Sequence, residues 1–236
     1  MIKRLPIGTL INTGTIIVGS LIGLTLQQTF PPNIKIIIFQ AIGLATLLIG
    51  IQMSLKLSDG YLLILIFSLI IGGIIGELLH LNEHIQDLGV SLKTTLNIGD
   101  EKFTEGLVTA SLLYCVGSMV IVGAIEEGIS GNRELLMVKS TLDGVSSIAF
   151  AASYGIGVMF SIFPMLLIQG GLTILARQIK SSFTASIIAQ LTAVGGLLIL
   201  GIGIELLNIG DINIENLLPS LIVIVFFTWI YDKWKG

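Results

Sequence analysis

Apolar runs of about twenty residues recur along the chain, and this feature limits its fold more than any other. A helical run of that length matches the roughly 30 Å hydrocarbon thickness of a bilayer. The chain has 236 residues, of which 53% are hydrophobic and only 11% are charged. Soluble proteins carry about 25% charged residues, so the solvent of this chain is mostly lipid. We therefore predict an all-α, polytopic transmembrane helical bundle that forms a single integral membrane domain over residues 1–236.

The composition also excludes several classes of function. Acidic residues outnumber basic ones by 15 to 12, so the basic surface typical of nucleic-acid-binding proteins is not expected. A single cysteine, Cys115, cannot form an intrachain disulfide or a multi-cysteine metal site. The sequence has neither a P-loop nor a dinucleotide-binding fingerprint. We therefore expect no cofactor and no nucleic-acid partner.

The first apolar run, Leu5–Leu26, follows two basic residues and must be distinguished from a signal peptide. Cleavable signals have a shorter apolar core of about 7–15 residues and a cleavage site formed by small residues. This run is longer, and it ends in Gln-Gln-Thr-Phe-Pro-Pro, which lacks such a site. We predict that it is the first membrane segment.

Hydropathy averaged over about 19 residues predicts eight membrane segments. Segments 1 to 4, 7 and 8 have clear boundaries at Leu5–Leu26, Ile34–Leu55, Tyr61–His80, Phe103–Ile125, Phe183–Leu207 and Leu217–Tyr231. The stretch Leu142–Ala176 is too long for one perpendicular span and long enough for two short ones. We assign segment 5 to about 142–159 and segment 6 to about 160–177, with a re-entrant or broken hairpin as the alternative.

Loop charges favour the double crossing of this stretch, because Lys and Arg collect on the cytoplasmic side of membrane proteins. Two crossings place the following basic residues on one side: Lys3, Arg4, Lys56, Arg133, Lys139, Arg177, Lys180, Lys233 and Lys235. The mixed loop from Leu81 to Lys102 and the acidic loop Asn208–Asn216 then lie on the other side. We therefore predict that both termini are cytoplasmic.

Two pairs of segments resemble each other. In segments 2 and 7, Gly43–Gln52 aligns with Gly196–Glu205, and the glycines keep their spacing. In segments 1 and 6, Leu10–Gly14 aligns with Leu167–Gly171, and each run places a side-chain amide two residues before a glycine. Because the eight-segment topology orients each pair oppositely, segments 1–3 and 6–8 would form an inverted repeat, which is typical of secondary transporters. Chance similarity between apolar helices is the alternative.

Segment 5 is unusually rich in small and hydroxylic residues. It contains Asp143, Gly144, Ser146, Ser147 and Ser153. An acid inside the membrane is costly and indicates function, and the serines would suit a water-filled path. Small residues also allow tight helix packing, and Asp143 could instead be the N-cap of the segment. A helix break at Asp143–Gly144 that exposes backbone groups to an ion is a further interpretation.

Segments 1 and 6 each carry one side-chain amide, Asn12 and Gln169. Such amides can hydrogen-bond neighbouring helices, or they can face each other and line a solute site. Pro164 and the glycines at 170 and 171 make segment 6 easy to kink, since proline removes a backbone donor. The residues that we predict to bind a solute or ion are Asn12, Asp143, Gly144, Ser146, Ser147, Ser153, Gln169 and Gly170.

Two histidines lie near the outer end of segment 3. His80 and His84 are one helical turn apart and could bind a metal, but no third ligand can be assigned, and we interpret this region as a solvated helix end. Both lie far from the serines of segment 5 in the predicted topology, so a Ser–His pair is not expected. We therefore predict no metal site and no enzymatic activity.

Several strings in the sequence are specific enough to identify a family. They are Gly8–Gly14, Phe103–Gly123, Lys139–Gly144, Gly155–Ser161, Gln169–Gly170 and Asn216–Pro219. Over nearly its whole length the chain resembles the YqgA-like bacterial membrane proteins, which form domain-of-unknown-function family 554. The resemblance implies a multi-pass protein of the bacterial inner membrane, and it implies no particular substrate, reaction or catalytic residue.

Two functions are compatible with these observations. The first is a transporter or facilitator of a small solute or ion, with a path through segments 1, 5 and 6 and with Asp143 carrying a proton or cation or shaping a gate. The second is a non-transporting membrane subunit, scaffold or sensor whose small residues pack helices together. The expected partners are the lipid bilayer and an unidentified small solute or ion. The chain could also form a homo-oligomer.

Overall fold

The computed structural model describes residues 6–29, 31–95, 102–115, 118–179 and 183–235. Three basic residues that entered the topology prediction, Lys3, Arg4 and Lys180, lie outside the described residues. Of Arg177 and Lys235, only the backbone is described. Predictions that depend on these side chains therefore stay predictions.

The described residues form helices connected by short turns, which confirms the all-α fold. The helices are α1 (Ile7–Thr29), α2 (Pro32–Ser54), α3 (Leu62–Leu78), α4 (Leu81–Thr95), α5 (Phe103–Cys115), α6 (Ser118–Ser130), α7 (Glu134–Tyr154), α8 (Gly157–Phe160), α9 (Ile162–Met165), a π-helix (Leu166–Gly170), α10 (Gly171–Ile179), α11 (Ala185–Leu206), α12 (Ile214–Leu217) and α13 (Ser220–Lys235).

Five of these helical stretches are long and apolar enough to cross a membrane. They are Ile7–Gln27, Glu134–Tyr154, Gly157–Ala176, Ala185–Glu205 and Ile214–Trp234. Two further pairs, α3 with the start of α4 and α5 with α6, each bend by 57° and raise the number to seven if each pair counts as one span. Helix α2 corresponds to predicted segment 2, and its part Gly43–Ser54 is apolar but shorter than a full span. A polytopic membrane bundle is therefore confirmed, whereas the count of eight segments stays a prediction.

The chain divides into two compact units. The first unit comprises Met1–Phe39 and Gly99–Ser182, and the second comprises Gln40–Ile98 and Phe183–Gly236. The first unit therefore contains predicted segments 1, 4, 5 and 6, and the second contains most of segment 2 together with segments 3, 7 and 8.

The first unit is built around the parallel helices α1 and α7. Near their starts, Gly8 of α1 packs against Leu136 of α7, and towards their ends Gly23 packs against the backbone of Ile148. Between these points, a Cβ added at Gly19 would overlap the carbonyl oxygen of Gly144. Small residues thus let the two backbones approach closely, so the packing interpretation of these residues is correct for this interface.

The bent pair α5–α6 crosses the first unit from one end to the other. At its beginning, the backbone of Phe103 lies against Gly157, just beyond the end of α7. At its other end, Glu127 accepts a hydrogen bond from the backbone N–H of Gly8, near the start of α1. The predicted segment Phe103–Ile125 thus corresponds to two helices, α5 and α6, whose directions differ by 57° and which extend to Ser130. That they form one span stays a prediction.

Segment 5 begins earlier than predicted and segment 6 is irregular. Helix α7 begins at Glu134 and ends at Tyr154, whereas the sequence predicted about 142–159. After Gly155 the chain forms α8, α9, the π-helix and α10, which together make up the helical stretch Gly157–Ala176. Segment 6 is therefore a helix with local irregularities, and the re-entrant alternative stays a prediction. Pro164 lies in α9, directly before the π-helix, where its missing N–H interrupts the regular backbone hydrogen bonds.

The second unit packs antiparallel helices in pairs. In α3 and α13, Gly72 lies against Ser220 and Gly76 lies against Asn216, which precedes α13. Its apolar core includes Leu65, Ala193, Val194 and Ile224. The predicted connection between segments 3 and 4, from Leu81 to Lys102, contains the helix α4 (Leu81–Thr95).

Candidate functional site

The first unit contains a buried ion pair within one helix. Lys139 and Asp143 lie one turn apart on α7, and Nζ of Lys139 donates to Oδ2 of Asp143. Their exposed fractions are only 4% and 6%. A charged side chain is rarely buried so completely without a partner, because leaving water costs several kcal/mol per ion, on the order of what a good pair can recover. The two residues therefore stabilise each other.

Asp143 lies in the interior of a continuous helix. It lies nine positions after the first residue of α7, Glu134, which at 1.5 Å per residue is about 13.5 Å along the axis. The residue at the N-cap of this helix is Arg133. The two alternatives that made Asp143 an N-cap or placed a helix break at Asp143–Gly144 are therefore wrong.

The ion pair is connected to both predicted amides. The side-chain nitrogen of Asn12 donates to Oδ2 of Asp143 at 2.8 Å and to Oε1 of Gln169 at 3.2 Å. Gln169 in turn donates to the hydroxyl of Thr9 at 3.2 Å. All four contacts are buried, and they join α1, α7 and the π-helix. We call Thr9, Asn12, Lys139, Asp143 and Gln169 the polar cluster.

The π-helix determines where Gln169 points. A π-turn closes its hydrogen bond over five residues instead of the four of an α-turn, and such turns occur frequently at functional sites. The turn Leu166–Gly170 follows Pro164 and contains Gln169, whose side chain is fully buried. The irregularity of this segment is thus located at the residue that contacts α1.

Ser147 extends the polar face of α7 beyond Asp143. Its hydroxyl donates to the carbonyl oxygen of Asp143 at 2.7 Å and lies 2.8 Å from the hydroxyl of Tyr114 on α5. The ring of Tyr114 lies beside the ammonium group of Lys139, with 5.8 Å between the nitrogen and the ring centroid. Tyr114 therefore contacts both ends of this polar face.

The other predicted site residues do not join the cluster through their side chains. Ser146 donates to the carbonyl oxygen of Asp143 in its own helix, and Ser153 is buried ten residues further along α7. Gly144 packs against Thr15, and Gly170 faces Thr9 at van der Waals distance. Their assignment to solute binding stays a prediction.

Lys139 is the main residue of this site that sequence reasoning missed. Counting basic residues in loops assigned it to the cytoplasmic loop before segment 5, because that segment was predicted to begin at 142. A signal was present, since Lys139 and Asp143 are four residues apart, the spacing at which side chains meet on a helix. Thr9 and Tyr114 carried no comparable signal.

A second ion pair lies near the start of α1. Glu127 of α6 is 1% exposed, and its Oε1 accepts from Nε of Arg133 and from the backbone N–H of Gly8, both at 2.8 Å. The carboxylate of Glu127 is favourable at the start of α1, because it accepts from an N–H group that has no partner within the helix. Its negative charge also interacts favourably with the positive end of the helix dipole. The side chain of Arg133 is 40% exposed, so this pair connects the interior of the unit to its surface.

Two groups of polar contacts in the second unit lie near helix ends. Tyr61, which precedes α3, donates to Asp232 near the end of α13, and Ser186 at the start of α11 donates to both. At the opposite end of α3, Asn216 donates to Glu77 at 2.7 Å and accepts from the backbone N–H of Asn82 at 2.8 Å. These contacts stabilise the connections between helices.

The two histidines of the second unit are exposed, as expected for a solvated helix end. His80 has a positive φ of 50° at the bend between α3 and α4, and its ring lies 3.7 Å from Glu83. Within the described ranges, no three His, Cys, Asp or Glu side chains are arranged to hold a metal ion together.

Comparisons with known proteins indicate a family. The family model described as "Protein of unknown function (DUF554)" matches residues 7–229. The chain is 34% identical over 218 residues to the "Uncharacterized membrane protein YdfK" of Bacillus subtilis, covering 92% of this chain and 93% of that protein. It is 30% identical over 233 residues to the "Uncharacterized protein YqgA" of Escherichia coli, covering 97% and 98%. No solved structure matches significantly.

Proposed function

Since this chain belongs to the DUF554 family of membrane proteins of unknown function, its activity must be inferred from its own residues, and we propose that it is a secondary transporter or facilitator of a small solute or ion. The observation that carries this proposal is the polar cluster, in which a buried Lys–Asp pair and two amides meet from three segments. Ionisable residues inside membrane helices are rare and mark substrate, ion or proton pathways.

The cluster has the chemical groups that such a pathway requires. The charges of Lys139 and Asp143 cancel, so the pair is stable as long as the two groups stay in contact. Separating them leaves one cationic and one anionic group without a partner. Asn12 and Gln169 offer both donors and acceptors, so their hydrogen bonds can be re-formed with a polar cargo. We assign to Asp143 the role of the carboxylate that releases Lys139 and binds a proton or cation in its place.

Helix directions support the eight-segment topology. In that topology segments 1 and 5 cross in the same direction, and α1 and α7 are parallel. Segments 3 and 8 cross in opposite directions, and α3 and α13 are antiparallel. With the basic loops on the inside, both termini lie in the cytoplasm and the protein lies in the bacterial inner membrane.

Contacts between aligned residues support the inverted repeat. Asn12 and Gln169, which occupy the same position in the alignment of segments 1 and 6, hydrogen-bond to each other. In segments 2 and 7, the alignment pairs Gly50 with Gly203 and Leu47 with Leu200. A Cβ added at Gly50 would lie 2.7 Å from the backbone nitrogen of Leu200, and one added at Gly203 would lie 3.0 Å from that of Leu47. Replacing each residue by its aligned counterpart turns the first contact into the second. A twofold axis that relates the two helices requires such reciprocal contacts.

The alternative of a non-transporting membrane subunit is favoured by one observation. Gly19 and Gly23 use their small size for close packing of α1 on α7, which is what a structural role would require of them. A stable complex with another membrane protein, together with no flux of any tested solute, would support this alternative over transport.

Flux in proteoliposomes tests the transport proposal. Purified protein is reconstituted with a pH-sensitive dye inside the vesicles, and separate vesicles are tested with radiolabelled Na⁺, K⁺ and a mixture of amino acids. We expect at least one of these probes to enter faster than in empty liposomes, and Asp143→Asn to abolish that difference. The matched control is Glu134→Gln, which removes an exposed carboxylate from the same helix and should leave the flux unchanged.

A charge-swapped variant keeps the test interpretable. Lys139→Asp with Asp143→Lys retains a buried pair, and thus much of the stability, while it moves the acid by one helical turn. We expect this folded variant to transport poorly. Full flux in Asp143→Asn, or no flux for any probe with the native protein, would contradict the proposal.

A further inference from the structure

The inner face of α7 forms a nearly continuous polar stripe with one apolar interruption. From its beginning, the stripe contains Arg133 at the N-cap, then Leu136, Ser140, Asp143 and Ser147. These residues follow one another at steps of three or four, so they lie on one side of the helix. Leu136, Ser140, Asp143 and Ser147 are all buried. Leu136 is therefore the apolar element between the pair Glu127–Arg133 and the polar cluster.

Leu136 is held between two glycines from different helices. A Cβ added at Gly8 of α1 would lie 2.7 Å from Cδ1 of Leu136, and one added at Gly123 of α6 would lie 2.8 Å from its Cδ2. The side chain is fully buried. One leucine thus fills the space where α1, α6 and α7 meet, and both of its methyl groups contact positions that have no side chain.

The two ion pairs lie on opposite sides of this leucine. On one side, the Cβ position of Gly8 is also 3.0 Å from Oε2 of Glu127, whose partner Arg133 is partly exposed. On the other side, one turn further along α7, Ser140 donates to the carbonyl oxygen of Leu136 at 2.7 Å, and Lys139 and Asp143 are buried beside it. An apolar layer between two charged layers excludes water and hydrated ions from the inner one.

We propose that Leu136, seated between Gly8 and Gly123, is the gate that separates the polar cluster from the surface at the end of the first unit where Arg133 lies. This proposal rests on the proposed function, since a gate requires a path. The Glu127–Arg133 pair holds the start of α1 against α6 through the N–H of Gly8, so opening requires α1 or α7 to move away from that pair. Because Leu136 is tightly packed against both glycines, it can leave its position only when these helices move apart.

Thiol accessibility one turn behind the gate tests the proposal. In a Cys115→Ala background, Ser140→Cys provides the single thiol, and membrane vesicles of both orientations are treated with 2-sulfonatoethyl methanethiosulfonate, which does not cross membranes. We expect slow modification when Leu136 is present. Leu136→Ala should accelerate modification from the Arg133 side by at least about tenfold, because the cavity it leaves can admit water along a polar face.

Two controls separate the gate from general loosening of the fold. Leu136→Met keeps the volume and should leave the rate within about twofold of the parent. Leu142→Ala removes the same atoms from an exposed position of the same helix and should also have no effect. Each variant is first checked for a single monodisperse peak in size-exclusion chromatography.

The possible outcomes distinguish failure of the proposed gate from failure of the proposed transport path. Fast modification of Ser140→Cys with Leu136 still present would overturn the gate and leave the proposed transport path intact, since water then reaches the cluster unhindered. A thiol that stays unreactive in the folded Leu136→Ala variant would also overturn the gate. If that result were accompanied by no flux for any probe, the transport proposal would fail as well.

Discussion

The two compact units bury polar groups in different places. In the first unit, Lys139, Asp143, Asn12 and Gln169 lie well inside their helices and contact one another across three segments. In the second unit, the buried polar side chains that the structure describes are uncharged, among them Ser68, Gln190 and Thr228. The carboxylate of Asp232 lies near a helix end. The same lipid-dominated composition thus produces one unit with buried charges and one unit whose described interior is apolar or polar without charge. This difference is the reason why the proposed function places the transport path in the first unit.

The two units should differ most in the loss of stability that follows the removal of one charged side chain. Asp143→Leu leaves the ammonium group of Lys139 buried without a partner, which should destabilise the protein by about 3–5 kcal/mol, whereas the double variant Lys139→Met/Asp143→Leu should lose far less. The free energy of unfolding, measured by SDS titration in mixed micelles, checks this. In the second unit, Asp232→Asn should cost only about 1 kcal/mol. Equal losses in the single and double variants would contradict the buried-pair interpretation.

Helix packing should be equally sensitive in both units. Gly19→Ala in the first unit and Gly76→Ala in the second place a methyl group against the backbone of Gly144 and Asn216, respectively. Each should destabilise the protein by about 1–3 kcal/mol, because the helices must move apart. The same SDS titration measures both. A much smaller loss in one unit would show that its helices adapt more easily.

The end-of-helix contacts of the second unit should have a moderate effect. Asn216→Ala removes the hydrogen bonds to Glu77 and to the backbone N–H of Asn82. We expect a loss of about 1 kcal/mol and faster hydrogen exchange at the start of α4, with unchanged flux in proteoliposomes. Abolished flux in this variant would show that the second unit takes a direct part in the activity.

The smallest expected change in stability is an increase, and it concerns Gly14 in the first unit. Among the described residues, no atom of a neighbouring helix lies within 4 Å of a Cβ added at Gly14, which is in the interior of α1. Gly14→Ala should therefore raise the free energy of unfolding by about 0.5–1 kcal/mol, since alanine loses less backbone entropy in a helix than glycine does. A destabilisation would mean that Gly14 serves close packing in the membrane.

Parts of the site were predictable and others were not. The amides Asn12 and Gln169 were conspicuous because each interrupts an apolar run, and their opposite orientation followed from the charges in the loops. Lys139 was misplaced because the start of segment 5 was estimated from hydropathy, which decreases at the first charged residue even when that residue is buried. The partner hydroxyls of Thr9 and Tyr114 could not be predicted, since common residue types acquire a role only through tertiary contacts.

The helices were easier to predict than their irregularities. Hydropathy located α11 and most of α2 to within a few residues, because a membrane segment must be long and apolar. The bend between α5 and α6, the exact turn of the π-helix and the helix α4 depend on local packing. Pro164 indicated a break in its segment but could not specify that the following turn would direct Gln169 towards α1.

The polar cluster is formed by residues that are synthesised at very different times. Asn12 is 131 residues from Asp143 and 157 residues from Gln169. At a translation rate of about 5–20 residues per second, roughly 7–30 s pass between the synthesis of α1 and that of its partners. During that interval the amide of Asn12 is without its native hydrogen bonds while α2, α3 and the bent pair α5–α6 are being made. Biogenesis of the first unit is therefore a late event, completed only when the chain has grown beyond the π-helix.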